Sequence, residues 1–211
     1  MVAAVASGAC AGHCGARGGL PPKALPPIVG PDGREYVVHG RGPYKAFYDS
    51  AGHLARLEYD SNGDGRADQI ALHDGRKVPH EIDVDVDFDG KIDRWEEYDP
   101  SGRMVRLGLS RRGNGRPEMW TSLDAQGRPT RKDYDEDADG KPDRWEYLGA
   151  DGRVERVEID TLRDGRAHRW QRWEGGRLVS EELDTDGDGR ADRRLHYGAD
   201  GRVSALEIIP H

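Results

Sequence analysis

The stretch DTDGDGRADRRLHYGADGRV, residues 184–203, sets aspartates at 184, 186, 188 and 192 and then runs into a strand-like segment ended by a glycine turn. Nearly the same phrase stands at YDSNGDGRAD (59–68), DVDVDFDGKID (83–93) and DYDEDADGKPD (133–143). Aligning the glycine after each acidic triplet gives Gly65, Gly90, Gly115, Gly140, Gly165 and Gly189, spaced by 25, 25, 25, 25 and 24 residues. A second column, Gly52, Lys77, Gly102, Gly127, Gly152, Gly176 and Gly201, keeps that period. Two independent columns at one spacing identify a tandem repeat.

Each repeat carries the same local signals. Positions five and seven after the second glycine, such as Leu57 and Tyr59, Val157 and Ile159, or Leu206 and Ile208, share one face of a strand, because side chains alternate with period two. Turns such as DPSG, DAQG and GADG end on a glycine that supplies a positive φ for a tight hairpin. Gly or Pro interrupts every stretch before a helix could run three turns. The spacing predicts an all-β fold of tandem antiparallel β-hairpin repeats, about a dozen strands in all, over residues 34–211. A sheet of that size twists or curls, so a superhelical meander is expected, with a small closed barrel or propeller as the alternative. Trp95, Trp120, Trp145 and Trp170 recur five residues after the first glycine and are expected to form an aromatic ladder.

Composition bounds the rest. Of 211 residues, 35% are hydrophobic and 34% charged, with 29 glycines, so burial alone is a thin source of stability. The net charge of −8, with bases interleaved among acids, argues against nucleic acid as a partner.

The acidic loops carry the chemistry. Asp60, Asn62, Asp64, Gly65, Asp68; Asp85, Asp87, Asp89, Gly90, Asp93; Asp135, Asp137, Asp139, Gly140, Asp143; and Asp184, Asp186, Asp188, Gly189, Asp192 all read D-x-[DN]-x-D-G-x-x-D. Alternate oxygens at the first, third and fifth positions aim inward as the backbone wraps a point. Glycine permits the sharp turn, the seventh residue (Arg66, Lys91, Lys141, Arg190) offers its carbonyl, and the ninth adds a carboxylate. Many hard oxygen ligands on a flexible loop suit Ca²⁺ over Mg²⁺, which predicts about four calcium sites. Two loops break the pattern, with Arg112 at the third position of 110–118 and Leu162 at that of 160–168. The first is expected to hold no calcium and the second to bind it weakly at best. The histidines occupy no repeated column and read as surface residues.

These loops resemble the EF-hand calcium loop, whose bidentate glutamate falls at the twelfth position, occupied here by Glu96 and Glu146 but not at Ala71 and Leu195. Between strands, they are more similar to the integrin-type FG-GAP loop, in which the ninth-position aspartate completes the site. Phrases such as YDSAGHLARLEYD also resemble the YD repeat of Rhs-type bacterial shells. The resemblance implies a bacterial calcium-binding repeat protein.

Residues 1–33 differ in kind. MVAAVASGAC is small and apolar, too short to cross a bilayer, and it precedes a Gly/Pro-rich linker. It reads as the remnant of an export signal, with Cys10 in a lipobox-like context as the residue a lipid anchor would use. Cys10 and Cys14 are the only cysteines, so the repeat domain has no disulfide. The expected protein is therefore secreted or tethered to the cell envelope, structural or adhesive, with Ca²⁺ stabilising its fold. The alternative is calcium-dependent recognition of a glycan or a cell-surface protein through the tryptophan face. No G-x-S-x-G, H-E-x-x-H or phosphate loop is present, and the expectation is a protein without catalysis.

Overall fold

The computed structural model describes residues 27–30 and 33–210. The segment read as an export-signal remnant, Cys10 included, lies outside the described residues. Among the described residues, sixteen strands and no helix form one antiparallel sheet whose order follows the chain. A short pair, β1 (Ile28–Val29) and β2 (Glu35–Arg41), leads into β3 (Tyr44–Tyr48) and β4 (Leu54–Tyr59). Then come β5 (Gln69–Leu72) and β6 (Glu81–Val84), β7 (Arg94–Tyr98) and β8 (Met104–Leu109), and β9 (Met119–Leu123) and β10 (Pro129–Tyr134). The series ends with β11 (Arg144–Leu148) and β12 (Val154–Ile159), β13 (Arg169–Glu174) and β14 (Arg177–Leu183), and β15 (Arg193–Tyr197) and β16 (Val203–Ile208). The terminal strands β1 and β16 do not pair with each other, so the sheet stays open and no barrel closes.

Tight turns stand along one margin of this sheet and the acidic loops along the other. The hairpin glycines adopt the predicted left-handed backbone, for example φ 80 at Gly102 and φ 75 at Gly127. Asp99 shows how such a turn closes. Its Oδ1 accepts from the Ser101 amide at 2.8 Å, and its Oδ2 from Arg103 Nε at 2.9 Å. A feature not legible in the sequence recurs next to these turns. The register slips by one residue in the β3/β4, β7/β8, β9/β10, β11/β12, β13/β14 and β15/β16 hairpins, which adds a bend and extra twist to each. The β5/β6 hairpin pairs without a slip, and there the glycine column reads Lys77 and the connection is longer.

With one layer, little is buried. Among the described residues the buried apolar side chains are Val38, Phe47, Val84 and Val157. The aromatic ladder is also corrected by the register. The tryptophans lie two strands apart, and the strand between places Asp133 beside Trp120 and Trp145, and Glu158 beside Trp145 and Trp170. Only at Gly108 does the intervening strand lack a side chain, and there Trp95 and Trp120 approach with ring centroids 6.5 Å apart. A Cβ at Gly108 would fall 2.8 Å from the Trp120 ring.

Asp83 shows the cost of mixing acids into this face. It sits between Ile70 and Trp95 in the ladder, and its Oδ1 is buried without a hydrogen-bond partner. Burial, then the neighbouring Glu81 carboxylate, pushes its pKa up to about 7, against about 3.9 in an unfolded chain. As pH rises from about 4 to about 7, the unfolded chain has already lost this proton while the folded chain retains it. Stability therefore falls through that window and levels off above it. Asp83→Asn should remove the loss, so its melting temperature should exceed the wild type's near about pH 8 and match it near about pH 4. A variant that melts below the wild type at the higher pH would contradict this assignment.

Candidate metal centre

Six loops, 60–68, 85–93, 110–118, 135–143, 160–168 and 184–192, each connect an even-numbered strand to the next odd one, and all stand on the same margin. Strand spacing sets neighbouring loops about 10 Å apart. The backbone ties them in series, because the first residue of each loop donates its amide to the ninth-position carbonyl of the loop before. The distances are Asp85 to Asp68 2.8 Å, Ser110 to Asp93 2.7 Å, Asp135 to Glu118 2.9 Å, Asp160 to Asp143 2.7 Å, and Asp184 to His168 2.8 Å. Side chains add links. Lys91 Nζ donates to the Gly113 carbonyl at 2.9 Å, and Arg163 pairs with Asp137 at 3.2 Å.

Within a loop, contiguous residues build the cage. The first aspartate accepts loop amides: in the first loop Asp60 takes Gly63 at 2.7 Å on Oδ1 and Gly65 at 2.9 Å on Oδ2, in the last Asp184 takes Gly187 at 2.7 Å and Gly189 at 2.8 Å, while Asp135 takes only Gly140 at 2.9 Å on Oδ2 and its buried Oδ1 has no partner. The third-position side chain accepts from the fifth amide, and the fifth from the seventh, as in Asn62 to Asp64 and Asp64 to Arg66 at 2.8 Å each. The ninth aspartate closes the loop by accepting the second- and third-position amides on Oδ2, at 2.9 and 3.4 Å for Asp93 and 2.7 and 3.2 Å for Asp143. Asp68, 1% exposed, does the same with Ser61 and Asn62.

These contacts hold several acids ionised. The Ser61 hydroxyl, ahead of the backbone amides, keeps Asp68 below the usual aspartate range, and the Thr185 hydroxyl does so for Asp192. At Asp184 burial works the other way, but the amides of Gly189 and Gly187 outweigh it and its pKa is lowered.

Ligand atoms of Asp85, Asp87 and Asp93, of Asp135, Asp137 and Asp143, and of Asp184, Asp186 and Asp192 lie within 4.8 Å of one another in their respective loops. In the first loop Asp60, Asp64 and Asp68 do so, with Asn62 at the third position. The fifth-position acids Asp89, Asp139 and Asp188 fall outside these groups. Asp89 turns to Lys91, whose Nζ donates to it at 3.1 Å. Of the seventh residues Arg66, Lys91, Lys141 and Arg190, each donates its amide to the fifth-position carboxylate at 2.8 Å. The twelfth-position glutamates serve the strands instead. Glu96 pairs with Arg94 at 2.9 Å and accepts the Tyr98 hydroxyl at 2.5 Å, while Glu146 pairs with Arg144 at 2.9 Å and accepts the Tyr134 hydroxyl at 3.1 Å. Closure thus runs through the ninth position.

Two features escaped sequence reasoning. The fourth residue of every loop is left-handed, glycine in three and Phe88, Ala138 and Arg163 in the others at φ 64, 64 and 58. The second is His168, which is not a surface residue: it is 2% exposed at the ninth position of the fifth loop. Its place in the repeat alignment was the available signal. In the third loop Glu118 takes the ninth position, accepting from the Arg111 amide at 2.7 Å, and Arg112 reaches out to the Glu136 carbonyl of the next loop.

No protein-family model matches the chain, and no curated protein matches it. Solved structures give partial overlaps. Accessory secretory protein 1, 2 and 3 of Streptococcus pneumoniae shares 22% identity at a TM-score of 0.37, over 55% of this chain and 20% of that one. A mutant form of TarM of S. aureus shares 10% identity at 0.28, over 65% and 21%. A porin-like protein from Bacteroides uniformis shares 12% identity at 0.26, over 82% and 58%. The chain thus spans only about a fifth of the first two, and overlaps of this size place it in no family.

Proposed function

We propose that this protein is a calcium-binding repeat protein, secreted or tethered at the cell surface, whose role is structural or adhesive and whose fold is stabilised by Ca²⁺. The observation that carries the reading is the fourfold recurrence, on one margin of the sheet, of three carboxylates with ligand atoms within 4.8 Å. Two carboxylates at that separation repel by about 1 kcal/mol in water and about 3 kcal/mol at the effective dielectric of a protein surface. A hard dication converts that repulsion into binding, and oxygen donors at alternating positions of a flexible loop match calcium. An apolar leader followed by a cysteine supports export, where calcium is plentiful.

Calorimetric titration of calcium-free protein tests the reading. The expected stoichiometry is about four, falling by one when Asp186→Ala removes a third-position ligand. Absence of binding heat up to about 10⁻² M Ca²⁺, well above the range of extracellular calcium modules, would refute it. A second reading, recognition of a glycan or protein, rests on the half-exposed tryptophans of one sheet face and on the Arg106 guanidinium 4.0 Å over Trp120.

A further inference from the structure

The fifth loop departs from its siblings in the kind of ligand it offers. Leu162, at the third position, is 61% exposed and contributes nothing to a cage. His168, at the ninth, is 2% exposed and points its ring inward, with Nδ1 3.3 Å from Asp160 Oδ1 and Nε2 3.5 Å from Asp164 Oδ2. Nδ1 is buried and has no hydrogen-bond partner, whereas Asp93 and Asp143 at the same position accept loop amides. Asp160 is still held in the common first-position geometry by the amides of Leu162, Arg163 and Gly165 at 3.0, 2.7 and 2.7 Å. Ligand atoms of Asp160, Asp164 and His168 lie within 4.8 Å of one another.

Calcium takes oxygen ligands, whereas imidazole with carboxylates suits borderline transition-metal dications, and three protein donors with one open position is a common zinc arrangement. We infer that the fifth loop is a separate site for a transition-metal dication of the Zn²⁺ class, held by Asp160, Asp164 and His168 with water completing the shell. The loop frame that supports calcium elsewhere is thereby converted by one ligand exchange, Asp to His at the ninth position, and the loss of a third-position carboxylate. The inference goes beyond the calcium reading and does not depend on it.

The test is titration of the full chain with ZnCl₂ in buffer already saturated with CaCl₂, so that hard-oxygen loops are occupied. Wild type should take up one zinc, and Co²⁺ substituted there should show ligand-field absorption with an imidazole nitrogen in the shell. His168→Ala should abolish that uptake and the cobalt spectrum. Because His168 is buried, Asp164→Asn serves as the second variant: Asp164 has a side chain 47% exposed, and its loss should weaken zinc at least about tenfold with the fold intact. Zinc uptake unchanged in both variants would overturn the inference. So would no uptake by wild type. Calcium stoichiometry, measured on the same variants, is expected to stay unchanged, which separates failure of this site from failure of the calcium loops.

Discussion

Chelating calcium is expected to lower the melting temperature of this protein by about 10–20 °C. At about tenfold excess over Kd, each occupied loop stabilises the folded chain by about 1.4 kcal/mol, so four loops contribute about 5–6 kcal/mol. For a chain of this size that corresponds to about 2–4 °C per kcal/mol. The effect is large because the sheet is a single layer whose buried apolar side chains, among the described residues, are Val38, Phe47, Val84 and Val157. It should also spread beyond each loop, since every loop shares a backbone hydrogen bond with the next and repeat arrays propagate local stability to their neighbours. Far-UV circular dichroism melts with and without chelator measure it. A shift smaller than about 2 °C would show that the acidic loops are not structural calcium sites.

The second large effect lies on the sheet. Glu181 is 2% exposed and accepts from Arg169 Nε, from Gln171 Nε2 at 2.8 Å and from the Tyr197 hydroxyl at 3.0 Å. Burial alone would raise its pKa, but Arg169 and Gln171 more than compensate and hold it below the ordinary glutamate value. Glu181→Ala strands three donors at once and should cost about 3 kcal/mol. That is the low end for breaking a buried charged network, because Arg169 is 40% exposed and recovers water. Glu181→Gln keeps an acceptor and should cost about half as much. The lowered pKa also fixes the sign of the pH effect. The carboxylate stabilises the fold above the unfolded glutamate pKa, about 4.3, and that contribution fades as pH falls through the folded value. The alanine variant should therefore lose less stability on acidification than wild type. Urea titrations of both variants give the numbers, and a loss under about 0.5 kcal/mol for Glu181→Ala would remove the network from the account.

Much of this arrangement is readable from residue order. The 25-residue period, the turn glycines and the first-position aspartates act over a few bonds: Asp184 finds its Gly187 and Gly189 amides within its own loop, so the contiguous sequence determines the loop's shape. The same locality let Arg112 and Leu162 be read as broken ligand positions.

What the sequence alone did not decide depends on which residues meet across strands. Whether Trp95 and Trp120 meet depends on Gly108 occupying the strand between them, a pairing set by the register of β8 against both neighbouring strands. The partners of Glu96 and Glu146 were also set by strand geometry, which turns them to Arg94 and Arg144, while closure through the ninth position is what the FG-GAP resemblance implied. His168 likewise became a buried donor only because β12 and β13 clamp its loop between neighbours on both sides. Local chemistry follows from the order of neighbouring residues, whereas register and burial are properties of the assembled sheet.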